Sequence, residues 1–479
     1  MYYFSKKTLS FAVICVSGII AGCVNYKNPP SVIHANNYSA ATNDEERVIP
    51  AQSSVFTLQD AIRIGLANNP SYELKRLAVI SSYNEFYAYM ITQFLPAVNL
   101  GVNGGMSRSW SREVTGWQLL SNKQFSNLGD SYPGGVSGGV SVPIFNGLQK
   151  EFDLLAKYAD TKISEEDQEN MRRLLINNIT LQYYALALTK RQIEVYGLDL
   201  QFQNQLLDFE RYKYSQNLIT EESVLNFEFL GLSSESEIVQ ANLQYDIQKF
   251  VLAALLGMTN AEFPNDIQFM SIDEIIENIK IDYEPLAVEY YLDMAIDQRP
   301  DLKAVRGELQ VKKYDMYAAW GAFSPTISGS GTMNWATSNW LHKGDTAGAQ
   351  VLNLGLAADW TIWDSGTRIF DLRDAYINID IAEQDLLIKW IDVVKEVRTA
   401  YTQLKSYMLD MNINKKALEV ALRQREIVEE LYKAGQVTLP RLNEGQSNVT
   451  AAELNVASSI INLYTAKSNL ENACGIYRY

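Results

Sequence analysis

The strongest constraint on this chain is that it is written twice. The stretch from Thr57 to Asn69-Pro70 resembles that from Tyr291 to Arg299-Pro300, and Phe94-Leu95-Pro96 resembles Phe323-Ser324-Pro325. Val142 to Gly147 resembles Trp360 to Gly366, Arg211 to Gln216 matches Leu431 to Gln436, and Leu255-Leu256-Gly257 resembles Ala473-Cys474-Gly475. Five blocks in the same order make a tandem duplication. Partners lie about 230 residues apart early and about 218 apart later, so the first copy holds extra residues between its strands. Each copy reads helix, strand, strand, long helix, shorter helix.

The strands alternate with period two. Val98, Leu100 and Val102 oppose Asn99, Gly101 and Asn103; Val136, Val140, Val142 and Ile144 oppose Ser137, Gly139 and Ser141. In the second copy Ile327, Met333 and Trp335 oppose Thr326, Ser328, Ser330 and Thr332, and Leu352 through Ile362 alternate in the same way. Their length suits a tilted strand crossing a bilayer, and their polar faces are small and uncharged except at Asp359. Trp335, Trp360 and Trp363 near strand ends fit interfacial aromatics. The glycine-rich pieces Gly101–Gly105 and Gly134–Gly139 lack the Lys-Ser/Thr ending of a phosphate loop and fall within strands.

From Thr367 to Ala434 there is neither Gly nor Pro, and apolar or small residues recur at three-four spacing from Leu372 to Val428. That repeat predicts a left-handed coiled-coil seam on a helix roughly 100 Å long. Leu148 to Tyr214 has the same length in the first copy, with no proline and a lone Gly197. Gly435 fits the residue after a helix C-terminus, with Ser215 in its place in the first copy, and Thr220 fits an N-cap. Shorter helices are predicted over Leu58–Phe94, Glu221–Leu256, Leu286–Ala322 and Pro440–Ala473. A pair of these stacked end to end matches one long helix. Length alone allows Glu221–Leu256 to stack with either Leu58–Phe94 or Leu286–Ala322.

Four strands cannot close a barrel, and lipid does not tolerate free sheet edges. Closure must come from other copies, and three copies give twelve strands without an edge. The N-terminus has basic Lys6 and Lys7, an apolar run Leu9 to Ile20, and Ala21-Gly22 before Cys23. This reads as a signal peptide, and its ending resembles a lipobox that lipidates Cys23. No later stretch is long and apolar enough to be a spanning helix. A net charge of −15 argues against nucleic acid, and three Cys with two His argue against a disulfide framework or a His-rich metal site. No nucleophile–base pair, metal constellation or cofactor motif emerges, so no enzyme, cofactor or metal is expected. His34 and His342 read as surface residues and Cys474 as a buried lone thiol.

The whole mature chain resembles the TolC-like outer membrane efflux proteins, particularly the lipidated members that serve resistance-nodulation-division pumps. The resemblance rests on the blocks above, on the strand-to-helix junctions Phe145-Asn146-Gly147 and Trp363-Asp364-Ser365-Gly366, and on the hairpin turn Tyr432-Lys433-Ala434-Gly435-Gln436. It implies a mainly α protein with transmembrane β: a trimeric twelve-stranded β-barrel continued by a twelve-helix periplasmic coiled-coil tunnel. The expected division is 1–22 signal peptide, 23–56 lipidated extended arm, 57–258 first repeat, 259–285 equatorial insertion and 286–479 second repeat. Expected partners are two further copies, a periplasmic adaptor, an inner-membrane pump and outer membrane lipid. The resemblance further implies acidic residues early in the last helix at the periplasmic entrance. Glu444 matches one such position, and Arg441 stands where another would be, so Arg441 and Glu444 are the gate candidates. Tyr212, Lys213, Tyr432, Lys433 and Gly435 are candidates for adaptor docking, and Asp364 for capping a long helix. Two alternatives stay open: an exit duct for type I protein secretion, and a structural coiled-coil envelope lipoprotein. The outer loops, roughly Ser107–Pro133 and Ala336–Ala349, suggest no role.

Overall fold

The structure, a computed structural model, describes residues 55–111, 126–263, 267–278, 285–337 and 348–477. In chain order its elements are β1 (Val55–Phe56), α1 (Leu58–Asn68), α2 (Pro70–Phe94), β2 (Ala97–Gly104), β3 (Ser107–Ser111), β4 (Ser126–Ser131), β5 (Gly134–Phe145), α3 (Gln149–Ser215) and α4 (Glu221–Leu255). Then follow β6 (Gln268–Phe269), α5 (Ile272–Asn278), α6 (Val288–Gln298), α7 (Pro300–Gly321), β7 (Thr326–Thr337), β8 (Gly348–Asp359), α8 (Thr367–Lys433) and α9 (Leu439–Ala473). Cys23, His34 and His342 lie outside the described residues.

The two long helices, α3 and α8, are 67 residues each, which at 1.5 Å per residue is roughly 100 Å. From Val393 downward α8 buries the predicted seam at Val393, Val397, Ala400, Leu404, Met411, Ala421 and Val428. Above that level only the small Ala375 and Ala382 are buried, and Tyr376 is exposed.

Two predicted helices are each broken in two. Leu58–Phe94 divides at Asn69 and Leu286–Ala322 at Arg299, both with extended backbone (ψ 120° and 117°). Each break precedes a proline, whose ring disfavours helical geometry one residue back. The breaks also select the stacking. Asn69 Nδ2 donates to Leu255 O at 2.8 Å, and Arg299 Nη1 donates to Ala473 O at 3.0 Å. So α2 continues the line of α4, and α7 that of α9. The alternative pairing of Glu221–Leu256 with Leu286–Ala322 is not used.

The strands β2-β5-β7-β8 form one antiparallel sheet in that order, leaving β2 and β8 as its edges. Register places Val98, Val140, Gly331 and Leu354 in one row and Asn99, Gly139, Thr332 and Asn353 in the next. One face is therefore apolar and the other carries small polar groups, as the alternation predicts. Val98, Leu100, Leu354 and Leu356 are each at least 75% exposed. Three boundaries differ from expectation. β2 ends at Gly104. The supposed loop from Ser107 contains the hairpin β3–β4. β8 ends at Asp359, because Trp360 turns its Nε1–H onto Phe323 O (3.1 Å) and leaves the ladder.

The main core lies where the columns join. Phe56, Phe263 and Phe269 pack edge to face, and β1 pairs in parallel with β6. Tyr183 Oη donates to Phe56 O at 2.5 Å and accepts from Met270 N at 3.4 Å, pinning the 259–285 insertion to α3. Among the described residues no helix is long and apolar enough to cross a membrane.

Candidate functional site: hairpin tips and helix junctions

Each long helix ends in a turn that satisfies its last carbonyls. At the end of α8, Gly435 (φ +76°) donates to Tyr432 O at 2.9 Å and Gln436 to Leu431 O at 2.8 Å, a Schellman motif. At the end of α3 the same two bonds run from Asn217 to Tyr214 O (2.9 Å) and from Leu218 to Lys213 O (3.0 Å). The left-handed residue there is Asn217 (φ +55°), and Ser215 stays helical. The sequence match of the two Tyr-Lys pairs is therefore two residues out of structural register. Asparagine tolerates left-handed geometry better than serine, which shifts the turn. Thr220 and Thr438 occupy N-cap positions with extended backbone, but neither side chain makes a capping bond.

The tips share a small core: Leu206 and Leu207 of α3, Phe227 of α4, Val428 of α8 and Leu442 of α9. At its edge Glu210, only 1% exposed, accepts from Lys213 Nζ at 2.9 Å. The same ammonium lies 4.2 Å from the Phe209 ring centroid and 5.0 Å from that of Tyr432. Burial, and then the neighbouring Glu210 carboxylate, push the Tyr432 phenol above its usual range. The five docking candidates thus divide. Lys213 and Tyr432 meet across the two hairpins, whereas Tyr212 is 65% exposed, the Lys433 side chain reaches Glu429 at 2.8 Å, and Gly435 sits in the turn. The gate candidates Arg441 and Glu444 pair at 2.6 Å within one chain, both exposed.

At the other end, each long helix starts from two consecutive left-handed residues, Gly147 and Leu148 (φ +72° and +65°) or Ser365 and Gly366 (φ +61° and +89°). Each copy has one glycine in the pair, at opposite positions. A Cβ on Gly147 would strike the Gly321 carbonyl, while one on Gly366 would meet open space. The Asp364 carboxylate accepts from Gly366 N (3.2 Å), Arg368 N (3.1 Å) and Arg368 Nε (2.8 Å). Against a desolvation that would raise it, these bonds hold the carboxyl below its usual range. Phe145 closes β5, and Trp363 is 75% exposed.

Sequence reasoning missed a knot of buried charge between the two ends. Arg299, 1% exposed, grips Asp301 with Nε to Oδ1 at 2.9 Å and Nη2 to Oδ2 at 2.6 Å, and reaches Glu396 at 2.6 Å. Lys389 joins Asp301 at 2.8 Å, and Arg173 lies 3.6 Å away while donating to Asn472 O at 2.6 Å. Although burial acts to raise it, this ring of cations drives the Asp301 carboxyl far below the usual carboxylate range. The knot ties α3, α7, α8 and α9 together. Arg299-Pro300 was visible as a repeat marker, but nothing local in the sequence distinguishes a buried arginine from an exposed one.

Residues 291–476 match the family described as Outer membrane efflux protein. Nodulation protein T of Rhizobium leguminosarum bv. viciae is 21% identical over 287 residues, which is 60% of this chain and 58% of that protein. The match therefore spans less than two thirds of that relative's length. The fold superposes on crystal structures of CusC (TM-score 0.74, 18% identity, 90% of this chain and 95% of that one). It also superposes on the Campylobacter jejuni CmeC outer membrane channel (TM-score 0.73, 17% identity, 94% of each). The match to the outer membrane efflux protein family thus lies in the second copy, and the fold shared with these outer membrane channels runs through both copies.

Proposed function

We propose that the chain is one third of a passive outer membrane conduit: three copies close a twelve-stranded barrel and continue it as a helical tunnel across the periplasm. The observation that carries this reading is the four-stranded sheet, apolar on one face, small and polar on the other, with an unpaired strand at each edge. Such a sheet is unstable alone in lipid and in water, and rotation about a threefold axis removes both faults. Lipidation at Cys23 would anchor the chain without a spanning helix. The division at 22, 56, 258 and 285 is part of the same proposal.

Energy in this scheme comes from an inner-membrane pump linked through a periplasmic adaptor. The hairpin tips meet the adaptor through the exposed Tyr212 and Lys433, and the first turn of α9, with Arg441 and Glu444, narrows the entrance. The small polar inner face, Asn99, Ser137, Thr332 and Asn353, conducts with little selectivity. No chemistry is assigned to any residue.

The test is mass and conductance together. Purified protein in detergent should run as a trimer by light scattering and give discrete conductance steps in planar bilayers. A detergent-free soluble monomer, or a trimer without conductance, would overturn the proposal. Disulfide cross-links between tips should lower conductance several-fold and restore it on reduction. A duct serving a nucleotide-driven protein exporter would conduct identically, so cross-linking to the inner-membrane partner separates the two uses.

A further inference from the structure

About four turns above the tips, α3, α4 and α9 line a half-open cavity of about 260 Å³. Its wall is rich in oxygen: the Asp199 carboxylate, the hydroxyls of Ser234 and Thr450, and Glu237 at the exposed rim. No lysine, arginine or histidine is among the described residues that line it. Asp199 is held in place from two helices. Ser234 Oγ donates to its Oδ2 at 2.5 Å, while Gln446 Nε2 and Thr450 Oγ1 donate to its Oδ1 at 2.8 and 3.1 Å.

That arrangement leaves acceptors over. With its amide nitrogen committed to Asp199, Gln446 has a buried Oε1 without a partner, and so do Gln203 Oε1 and Asn443 Oδ1. Gln203 and Gln446 are only 5% and 6% exposed. Gln203 follows Asp199 by one turn and lines the same cavity, and Asn443 precedes Gln446 by one turn and lines it too. Buried acceptors without donors are rare and costly. Beside the Asp199 carboxylate, the two that line the cavity, Gln203 Oε1 and Asn443 Oδ1, have the donor set of a hard cation: oxygen only, mixed carboxylate and carboxamide. Neither cysteine nor histidine is among the described residues that line the cavity, so thiolate or imidazole chemistry is not in play here.

We propose that this cavity binds one hydrated divalent cation, Ca²⁺ or Mg²⁺, with Asp199 as its anionic anchor and the carboxamide oxygens of Gln203 and Asn443 around it. The cavity has room for several waters, so the ion keeps much of its hydration shell. Because α3 and α4 belong to the first copy and α9 to the second, the ion bridges the two hairpins of one chain. The site stands on the chain's own geometry and is independent of conduction.

Chelator-stripped full-length protein in detergent, titrated calorimetrically with CaCl₂ and with MgCl₂, should bind one ion per chain with at least one of the two salts. Asp199→Asn should weaken that binding at least tenfold, and Glu237→Gln should weaken it two- to threefold. Asn443→Leu leaves every hydrogen bond of Asp199 intact and should also weaken binding, which guards against a folding defect in Asp199→Asn. Tb³⁺ soaked into crystals should give one anomalous peak within coordination distance of Asp199. No binding of either ion, water alone in the cavity, or equal affinity in wild type, Asp199→Asn and Asn443→Leu would overturn the proposal.

Discussion

Arg299 and Asp301 carry a burden that their neighbours in sequence do not. Both are more than nine-tenths buried, and each satisfies the other bidentately. Removing one member leaves the rest of the knot as uncompensated buried charge, so Asp301→Asn should cost about 3–5 kcal/mol by denaturant unfolding in detergent. The pH dependence follows from the sign of the shift. The folded carboxyl titrates far below its unfolded value, so its contribution is complete above the unfolded pKa of about 3.9. It fades only as pH falls below that value toward the folded one. Wild-type stability should therefore show no loss from Asp301 between pH 8 and pH 5, and unfolding curves across that range check it. The left-handed pairs give a second prediction at this scale. Leu148 holds φ +65° without glycine's freedom, so Leu148→Gly should gain about 1 kcal/mol. Gly366→Ala should lose a similar amount from φ alone. Gly147→Ala should lose distinctly more, because its new methyl meets the Gly321 backbone as well.

Elements were the scale at which the sequence spoke most clearly. Period two marked the four long strands, and the Gly- and Pro-free run with its Pro-free counterpart in the first copy marked both 67-residue helices within a residue or two of their ends. What went unread was decided by three-dimensional context. Pro70 and Pro300 were recognised as repeat markers, yet the breaks before them became meaningful only when each met the C-terminal carbonyl of another helix. Asn217 was overlooked because Tyr212-Lys213 aligned so well with Tyr432-Lys433, whereas the turn follows the residue able to hold positive φ. The β3–β4 hairpin lacks clean alternation: Ser107, Arg108, Ser109, Trp110 and Ser111 offer no apolar face. Of the site residues, Asp364 was legible as a cap from its place before Gly366. The roles of Glu210, Asp199 and the Arg299 knot depend on which helix lies opposite, and a single sequence does not carry that. If Asn217 terminates α3 as Gly435 terminates α8, then Asn217→Gly should raise stability by a few tenths of a kcal/mol or leave it unchanged. Asn217→Val should lower it by about 1–2 kcal/mol. Melting curves of the paired variants measure the difference.

For the whole molecule, the two faces of the sheet make opposite predictions. Leu354 is 79% exposed on the apolar face, and Asn353 beside it lies on the polar one. Leu354→Arg should therefore impair membrane assembly by about 2–4 kcal/mol if the residue sits near the bilayer midplane. Asn353→Asp should fold and insert normally and alter only ion preference. Heat-modifiable trimer bands and conductance distinguish the two; equal tolerance of both substitutions would contradict the assignment of faces. The scale of the whole also gives weight to the joints at Asn69 and Arg299. Two of the four vertical lines in each chain are spliced, both at one level, by a side chain clasping a carbonyl, while α3 and α8 run past that level unbroken. A wall so built is pinned where its shorter helices meet, because the Arg299 knot and the main core both lie at that level. Displacement of the hairpin ends should therefore bend the unbroken rods below the pins and leave the sheet undisturbed.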